Sequence, residues 1–391
     1  MNKAYKFKLK PTKEQIFFFH KNFGCCRFYW NKNIGNLLEA FEKDKFEYKI
    51  IYPAQLKTEY EFLKEVDSLG LCNEQIRLQK ALKDFLNKKS GKPKFHSKNR
   101  DLDSYTTNNI HNSIFIEGKK IKLPKVGFVR IVCHRKLEGK IKNVTISLDS
   151  NGKYYASICT ELESQPVEKV KPKTVIGFDY SSPLTWVDSN GDSPDCSFYR
   201  NNLEKIQKND KKLSRKVKGS NNWKKQLVKN NKLHFHIKCC RKDLLHKVSK
   251  FYVDNYDVLV FEDLNLQGIA KALHLGKATH DNGFGMFRTF VEYKAENQGK
   301  YFMKVDKNYT TQTCSCCGNV KSKEERLQLG DKIYECTICG AIINRDTNAA
   351  INIAKRGWDN LLSLLKNGSV DLCSQEALTF CLLYTSPSPR D

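Results

Sequence analysis

Two pairs of cysteines, Cys314 with Cys317 and Cys336 with Cys339, frame the stretch "TCSCCGNVKSKEERLQLGDKIYECTICG", and glycine follows each pair as Gly318 and Gly340. This spacing constrains the fold more than any other feature of the chain. Four thiolates at about 2.3 Å suit a tetrahedral zinc ion, and glycine allows each knuckle the tight turn that brings backbone amides to the sulfurs. Four buried thiols without a metal would explain neither the paired spacing nor the two glycines. Cys316 competes with Cys317, although its spacing to Cys314 is too short for a standard knuckle. Four sulfur ligands leave no position for water, so the zinc is expected to be structural and any chemistry must lie elsewhere.

Three acids are candidates for that chemistry. Asp179 ends the apolar run in "VIGFDYSS", Glu262 ends another in "LVFEDLN", and Asp346 opens a helical pattern in "NRDTNAA". A carboxylate in an otherwise buried strand is costly unless it is paired or binds a cation. Each has a plainer explanation: Asp346 as a helix cap, Glu262 as a surface acid at a strand end, Asp179 as a turn former. Together, two strand-borne acids and one helix-borne acid form the set with which an RNase H-like nuclease holds two magnesium ions about 4 Å apart. One ion activates water and the other stabilises the leaving oxygen. Asp263 competes with Glu262. Neighbouring strand side chains point to opposite faces, so only one of them can join Asp179, and the spacing leaves both open.

The charge names the kind of partner. Among 391 residues, 68 Lys and Arg stand against 43 Asp and Glu, a formal charge of +25. Such an excess points to a polyanion, and nucleic acid is favoured because cationic side chains displace counterions from phosphates. Six basic residues and no acid lie between Lys88 and Arg100, and 16 Lys and Arg against 3 acids lie between Asn201 and Lys250. The sequence contains no run of about 18 apolar residues and no basic-then-apolar leader, so a cytoplasmic protein with no membrane partner is expected. The 15 cysteines include the adjacent pairs Cys25–Cys26 and Cys239–Cys240, poorly suited to bridging each other, and most of the 15 are expected to be buried thiols in a reducing compartment.

The length allows about two to three domains. "NKAYKFKLKPT" predicts a strand followed by a helix start at Thr12, and helical patterns continue to about residue 87, with Ile76, Leu78, Leu82, Phe85 and Leu86 at helix-face spacing. Residues 113 to 161 change to short alternating strands, a small barrel or curled sheet that the first strand is expected to join. "ESQPVEKVKPKT" reads as a linker. Beyond it, strands alternate with helices, which indicates an α/β layer. In the basic segment Leu203, Ile206, Leu213, Val217, Leu244, Leu245 and Val248 sit at helical intervals, and "RDTNAAINIAKRG" reads as the last helix. The closing "CLLYTSPSPRD" continues none of these patterns and resembles translated adapter or vector sequence, so the native C-terminus is expected to be missing after about residue 380.

In chain order, "GFDY", "FEDLN", "TTQTCSCCG" and "YECTICGAIINRDTNAAINIAKRG" resemble the TnpB family, transposon-encoded RNA-guided nucleases related to type V CRISPR effectors. "AYKFKLKPTKEQ" and "FGCCRFYWNKNIG" carry the resemblance to the N-terminus. It implies an α+β multidomain fold. In the fold so implied, a wedge-type β-barrel (1–11 and 111–165) is expected to carry an inserted helical recognition lobe (12–110). An RNase H-like (RuvC) α/β domain (166–310 and 341–357) is expected to be interrupted by a four-cysteine zinc ribbon (311–340), with a tail to follow (358–391).

The resemblance also implies a guide RNA and a DNA target, with Asp179, Glu262 and Asp346 as catalytic acids on magnesium. Cys314, Cys317, Cys336 and Cys339 correspond to the zinc ligands. Pairing with a guide would carry sequence information while the protein holds the heteroduplex and reads a short motif. The chain departs from the family at Ser181, where glycine is common two residues after the first acid; a serine there crowds the approach of substrate backbone. That departure keeps open a nuclease-inactive, RNA-guided repressor. RNase H-like acids also serve transposases, which leaves a DNA-strand transferase as another alternative.

Overall fold

Lysines alternate with Tyr5, Phe7 and Leu9 along the first strand, β1 (Asn2–Lys10), and the period of two buries those three side chains on one face. A computed structural model describes residues 2–42, 49–98, 103–163, 167–181, 185–265, 283–328 and 330–367. The chain divides into two compact units, Met1–Gln165 and Pro166–Asp391.

In the first unit β1 does join the later strands. It pairs antiparallel with both β5 (Gly127–Val132) and β7 (Tyr154–Glu161). With β2 (Ser104–Asn108), β3 (Phe115–Glu117), β4 (Lys120–Leu123) and β6 (Lys140–Leu148) these form a curled seven-stranded sheet in the order β2, β6, β7, β1, β5, β4, β3. Between β1 and β2 come the helices α1 (Lys13–Glu42), α2 (Pro53–Glu59) and α3 (Ser68–Leu86). Phe19, Phe23, Tyr29, Leu56 and Leu71 from this helical stretch pack on Tyr5, Phe7, Val144 and Ile158 of the sheet.

Two details differ from the sequence reading. β2 lies inside the stretch expected to be helical, because "SYTTN" buries Tyr105 and Thr107 by alternation while pairing with β6. On α3 the buried face is Gly70, Leu71, Glu74 and Leu78, so Ile76 and Leu86 of the expected apolar face are exposed. Arg100, at the end of the first basic run, lies outside the described residues.

The second unit is built on a four-stranded sheet in the order β11, β10, β8, β9, comprising β8 (Val175–Asp179), β9 (Val187–Asp188), β10 (Val258–Glu262) and β11 (Tyr301–Val305). β8, β10 and β11 are parallel, and β9 runs antiparallel at the edge. Parallel strands are covered on both faces, which explains their continuous apolar runs. Ile176, Phe178, Leu259 and Phe261 meet α5 (Asn221–Asn255) and α6 (Phe284–Asn297) through Leu245, Tyr252, Phe284 and Phe287.

The opposite face carries α7 (Arg345–Lys366), packed through Ile353, Trp358 and Leu361 on Val258, Val260 and Tyr301. This helix passes the expected end at Gly357 because Trp358 and Leu361 continue its buried stripe. The basic segment forms two helices, α4 (Leu203–Ser214) and α5, so Val217 falls between them and is 80% exposed instead of continuing a packed face. The stretch "CLLYTSPSPRD" lies outside the described residues. Among those residues, no helix is long and apolar enough to cross a membrane.

Candidate active site and metal centre

Strand periodicity decides where the first two acids face. Gly177 and Asp179 share one face of β8, while Val260 and Glu262 share the same face of β10, since Phe178 and Phe261 are register partners. That face is the one α7 covers. A Cβ added to Gly177 would lie 2.2 Å from the Ala350 carbonyl oxygen, and one added to Gly357 would lie 2.4 Å from the Val260 methyls. Two glycines thus let the helix sit directly on the sheet. Its first turn then brings Asp346 to the carboxyl ends of β8 and β10.

All three acids accordingly occupy one region. Asp179 and Glu262 are buried at 6% and 5% exposure. Asp263 lies past the end of β10, exposed to solvent, so burial and facing favour Glu262. Asp346 does not cap its helix. Asn344 does, its side-chain oxygen accepting from the amides of Asp346 and Thr347 at 2.9 and 3.3 Å. The Asp346 carboxylate instead accepts a hydrogen bond from Ser181 Oγ at 2.8 Å and lies 3.6 Å from Lys332 Nζ.

The electrostatics are those of a site short of positive charge. Burial pushes the Asp179 carboxyl well above the usual range, and the neighbouring charges of Glu262 and Asp346 push it further, against a smaller pull from Arg345. Burial also raises Glu262, opposed by the hydroxyl of Thr310, which donates to Oε1 at 2.5 Å, and by Arg356 and Lys307. A divalent cation would relieve this repulsion, and three carboxylates are suitable hard oxygen ligands for magnesium. Sequence reasoning missed Thr310 and the contact of Ser181 with Asp346. A hydroxyl residue four positions before a cysteine knuckle carries no local mark of its role, and Ser181 stands out only as a departure from glycine.

The four cysteines form the second centre. Their sulfurs all lie within 4.8 Å of one another, with Cys314–Cys339 at 3.7 Å and Cys317–Cys336 at 3.6 Å. Ligands about 2.3 Å from a tetrahedral centre lie about 3.8 Å apart, so the spacing fits a four-sulfur metal site. Cys316 is exposed and outside the group. Gly318 and Gly340 have φ of 79° and 70°, the left-handed turn each knuckle needs, and their amides donate to the carbonyls of Cys314 and Cys336. The amides of Cys339 and Ile338 pull the Cys336 thiol down to about 6, toward the thiolate that binds metal. β12 (Ile333–Glu335) and β13 (Ile342–Asn344) pair across the second knuckle and lead directly into α7.

Comparison with known proteins agrees with this organisation. The chain is 31% identical over 376 residues to "Putative RNA-guided DNA endonuclease InsQ" of Escherichia coli K12, covering 90% of this chain and 92% of that protein. The chain belongs to the TnpB family. Family models match this TnpB-family chain as a Cas12f1-like TNB domain at 284–353, a "Probable transposase" at 157–273 and a helix-turn-helix domain at 1–45. Over that last window the described structure is one strand followed by one long helix.

Among other relatives, "TnpB-like protein L79" of Acanthamoeba polyphaga mimivirus is 27% identical, over 67% of this chain and 53% of that protein. The solved structure described as "Cryo-EM structure of the Cas12f1-sgRNA-target DNA complex" aligns with a TM-score of 0.53 at 15% identity, covering 88% of this TnpB-family chain and 83% of that one. The likeness is one of fold.

Proposed function

We propose that the chain is an RNA-guided DNA endonuclease of a transposable element, cutting DNA beside a short recognition motif by magnesium-dependent phosphodiester hydrolysis. The observation that carries this reading is the convergence of Asp179, Glu262 and Asp346 at the ends of two parallel strands and one helix. The membership of the TnpB family and the names of its relatives supply the guide RNA and the DNA target.

In this reading the second unit is an RNase H-like (RuvC) fold interrupted by a zinc ribbon, and the first is a wedge-type barrel with a helical recognition lobe that reads the motif. The chemistry magnesium supplies when bound is activation of water and stabilisation of the leaving oxygen. The chain's own part is to present three acids, two of them buried in rigid strands, so that the cations would be held by carboxylates that do not reorganise. Arg345, Lys307 and Arg356 moderate the repulsion among them. The basic surfaces of α4 and α5 track phosphates, which explains a large charge without a base-reading code. Zinc in the four-thiolate site would be structural, since no ligand position is left for water.

A nuclease-inactive RNA-guided repressor is the second reading, favoured by the hold of Ser181 and Lys332 on Asp346. One experiment separates the two. RNA that copurifies with the chain is sequenced, and the ribonucleoprotein is incubated with a matched plasmid and magnesium. Cutting is expected with the parent, and with Asp179→Ala binding survives while cleavage falls by at least about a thousandfold, the scale seen when an essential group is removed. Binding with no nicking by the parent would favour the repressor, undiminished cutting by Asp179→Ala would refute the acid assignment, and end-joined products would indicate strand transfer.

A further inference from the structure

Two buried asparagines interrupt the apolar face of α7. Asn348 and Asn352, 0% and 5% exposed, are one turn apart on the helix that begins with Asp346. Buried amides are costly unless their hydrogen bonds are used, and both are used on the same segment. Asn352 Nδ2 donates to the carbonyl oxygens of Thr310 at 2.9 Å and Thr313 at 2.7 Å. Asn348 Nδ2 donates to Thr313 O at 2.8 Å, and its Oδ1 accepts from the Ser315 amide at 2.8 Å. Lys355 adds a bond to Ser315 O. The helix therefore grips residues 310–315, the approach to the first cysteine knuckle.

Thr310 transmits that grip. The residue is 3% exposed, and its hydroxyl donates to Glu262 Oε1 at 2.5 Å, with Lys307 O a longer alternative at 3.3 Å. A glutamate at the end of a strand has three side-chain torsions to fix. One donor on one oxygen fixes the carboxylate while leaving the other oxygen for a cation.

We propose that Thr310 is a positioning residue for Glu262, held in place by Asn352, so that α7 sets two carboxylates at once: Asp346 directly, and Glu262 through Asn352 and Thr310. This deepens the acidic-site reading above and rests on it. Outer contacts of this kind typically change metal affinity by about 10- to 100-fold.

The test is manganese binding to the full chain without guide, followed by the paramagnetic resonance of free manganese, with the four cysteines left intact. Glu262→Gln first establishes the acid-dependent part of the binding; if it changes nothing, the acidic-site reading itself fails and the inference falls with it. Given that dependence, Thr310→Val is expected to weaken binding about tenfold and Thr310→Ser to restore it to within about twofold of the parent. In the Glu262→Gln background Thr310→Val should have no further effect, which a purely structural role would not produce. Thr310→Ala makes the same comparison should the valine variant not fold. Parent-like manganese binding by a hydroxyl-deleted variant, or a serine variant as weak as valine, would overturn the proposal.

Discussion

The cysteine cluster closes within one short stretch of chain, whereas Asp179, Glu262 and Asp346 meet only because two parallel strands and the last helix pack together. The cysteines sit on turns closed by backbone hydrogen bonds of their own, Gly318 to Cys314 and Gly340 to Cys336, with Tyr334 and Leu327 as a minimal core. The acids depend on a full α/β layer, down to two glycines that admit α7 against the sheet. A local site can be read from spacing and would hold its shape through its own metal. A site assembled across the fold borrows its shape from packing and stores repulsion among its charges. The two meet at α7, which starts where the second knuckle ends and grips the approach to the first.

The largest effect should come from breaking the local site. Cys336→Ser removes a buried sulfur from the group, and zinc content is expected to fall from about one per chain to near none, with marked loss of stability in the Pro166–Asp391 unit, because structural zinc contributes directly to folding. Metal analysis beside thermal melting measures both. Full metal retention by this variant would refute the four-thiolate assignment. Because residues 310–315 lie between the cluster and Glu262, chelation of the parent should also weaken manganese binding at the acids. Unchanged manganese affinity after zinc removal would show the two centres to be independent.

The same contrast explains what was legible in the sequence. The cysteine spacing with its two glycines, and apolar runs ending in acids, are local signals, and the alternation of strand side chains already required that only one of Glu262 and Asp263 join Asp179. The structure adds which one, because only packing shows that α7 covers the face of Val260 and Glu262. Asn344 takes the cap position in place of Asp346 for a reason invisible in spacing: both residue types suit that position, and the pairing of β13 with β12, which ends at Asn344, sets where the helix begins. β2 escapes a sequence reading because five mostly polar residues give little periodic signal without their partner β6. Thr310 owes its significance to a carboxylate far away in the sequence, so nothing next to it marks it, and Ser181, legible as a departure beside Asp179, gives no sign that its partner is Asp346.

A smaller effect, opposite in sign to that at Cys336, is expected at the assembled site. In the folded chain the Asp179 carboxyl titrates above its ordinary value, so the folded state holds a proton that the unfolded state has released. Stability is then lost as pH rises from about 3.9, the ordinary aspartate value, through the raised folded value, and stays reduced at neutral pH. A neutral amide in place of the carboxyl would carry no such penalty. Metal-free Asp179→Asn should therefore melt about 2–4 °C above the parent at pH 7, the shift that 1 kcal/mol gives in a domain of this size, with the gain vanishing toward pH 4. Added magnesium should narrow the gap, since it stabilises only the parent through this site. A variant that melts below the parent at pH 7 would mean that Asp179 supports the fold and is not a strained ligand.

The smallest effect tests whether Ser181 helps or hinders. Its buried hydroxyl holds Asp346 Oδ2 at 2.8 Å, which both orients the carboxylate and occupies one of its lone pairs, while the Cβ of Ser181 takes space that glycine would leave open. Ser181→Ala removes the hydroxyl alone; Ser181→Gly removes both. If crowding dominates, glycine should raise the single-turnover cleavage rate about two- to threefold at saturating magnesium and alanine, which keeps the Cβ, should give no gain, a difference of well under about 1.4 kcal/mol in the barrier. If orientation dominates, both variants should slow cleavage alike, and Ser181 would then be to Asp346 what Thr310 is to Glu262. We expect the first result, because Asn344 and the first turn of α7 already fix the backbone of Asp346 and Lys332 also lies beside its carboxylate, leaving the hydroxyl little further orientation to supply.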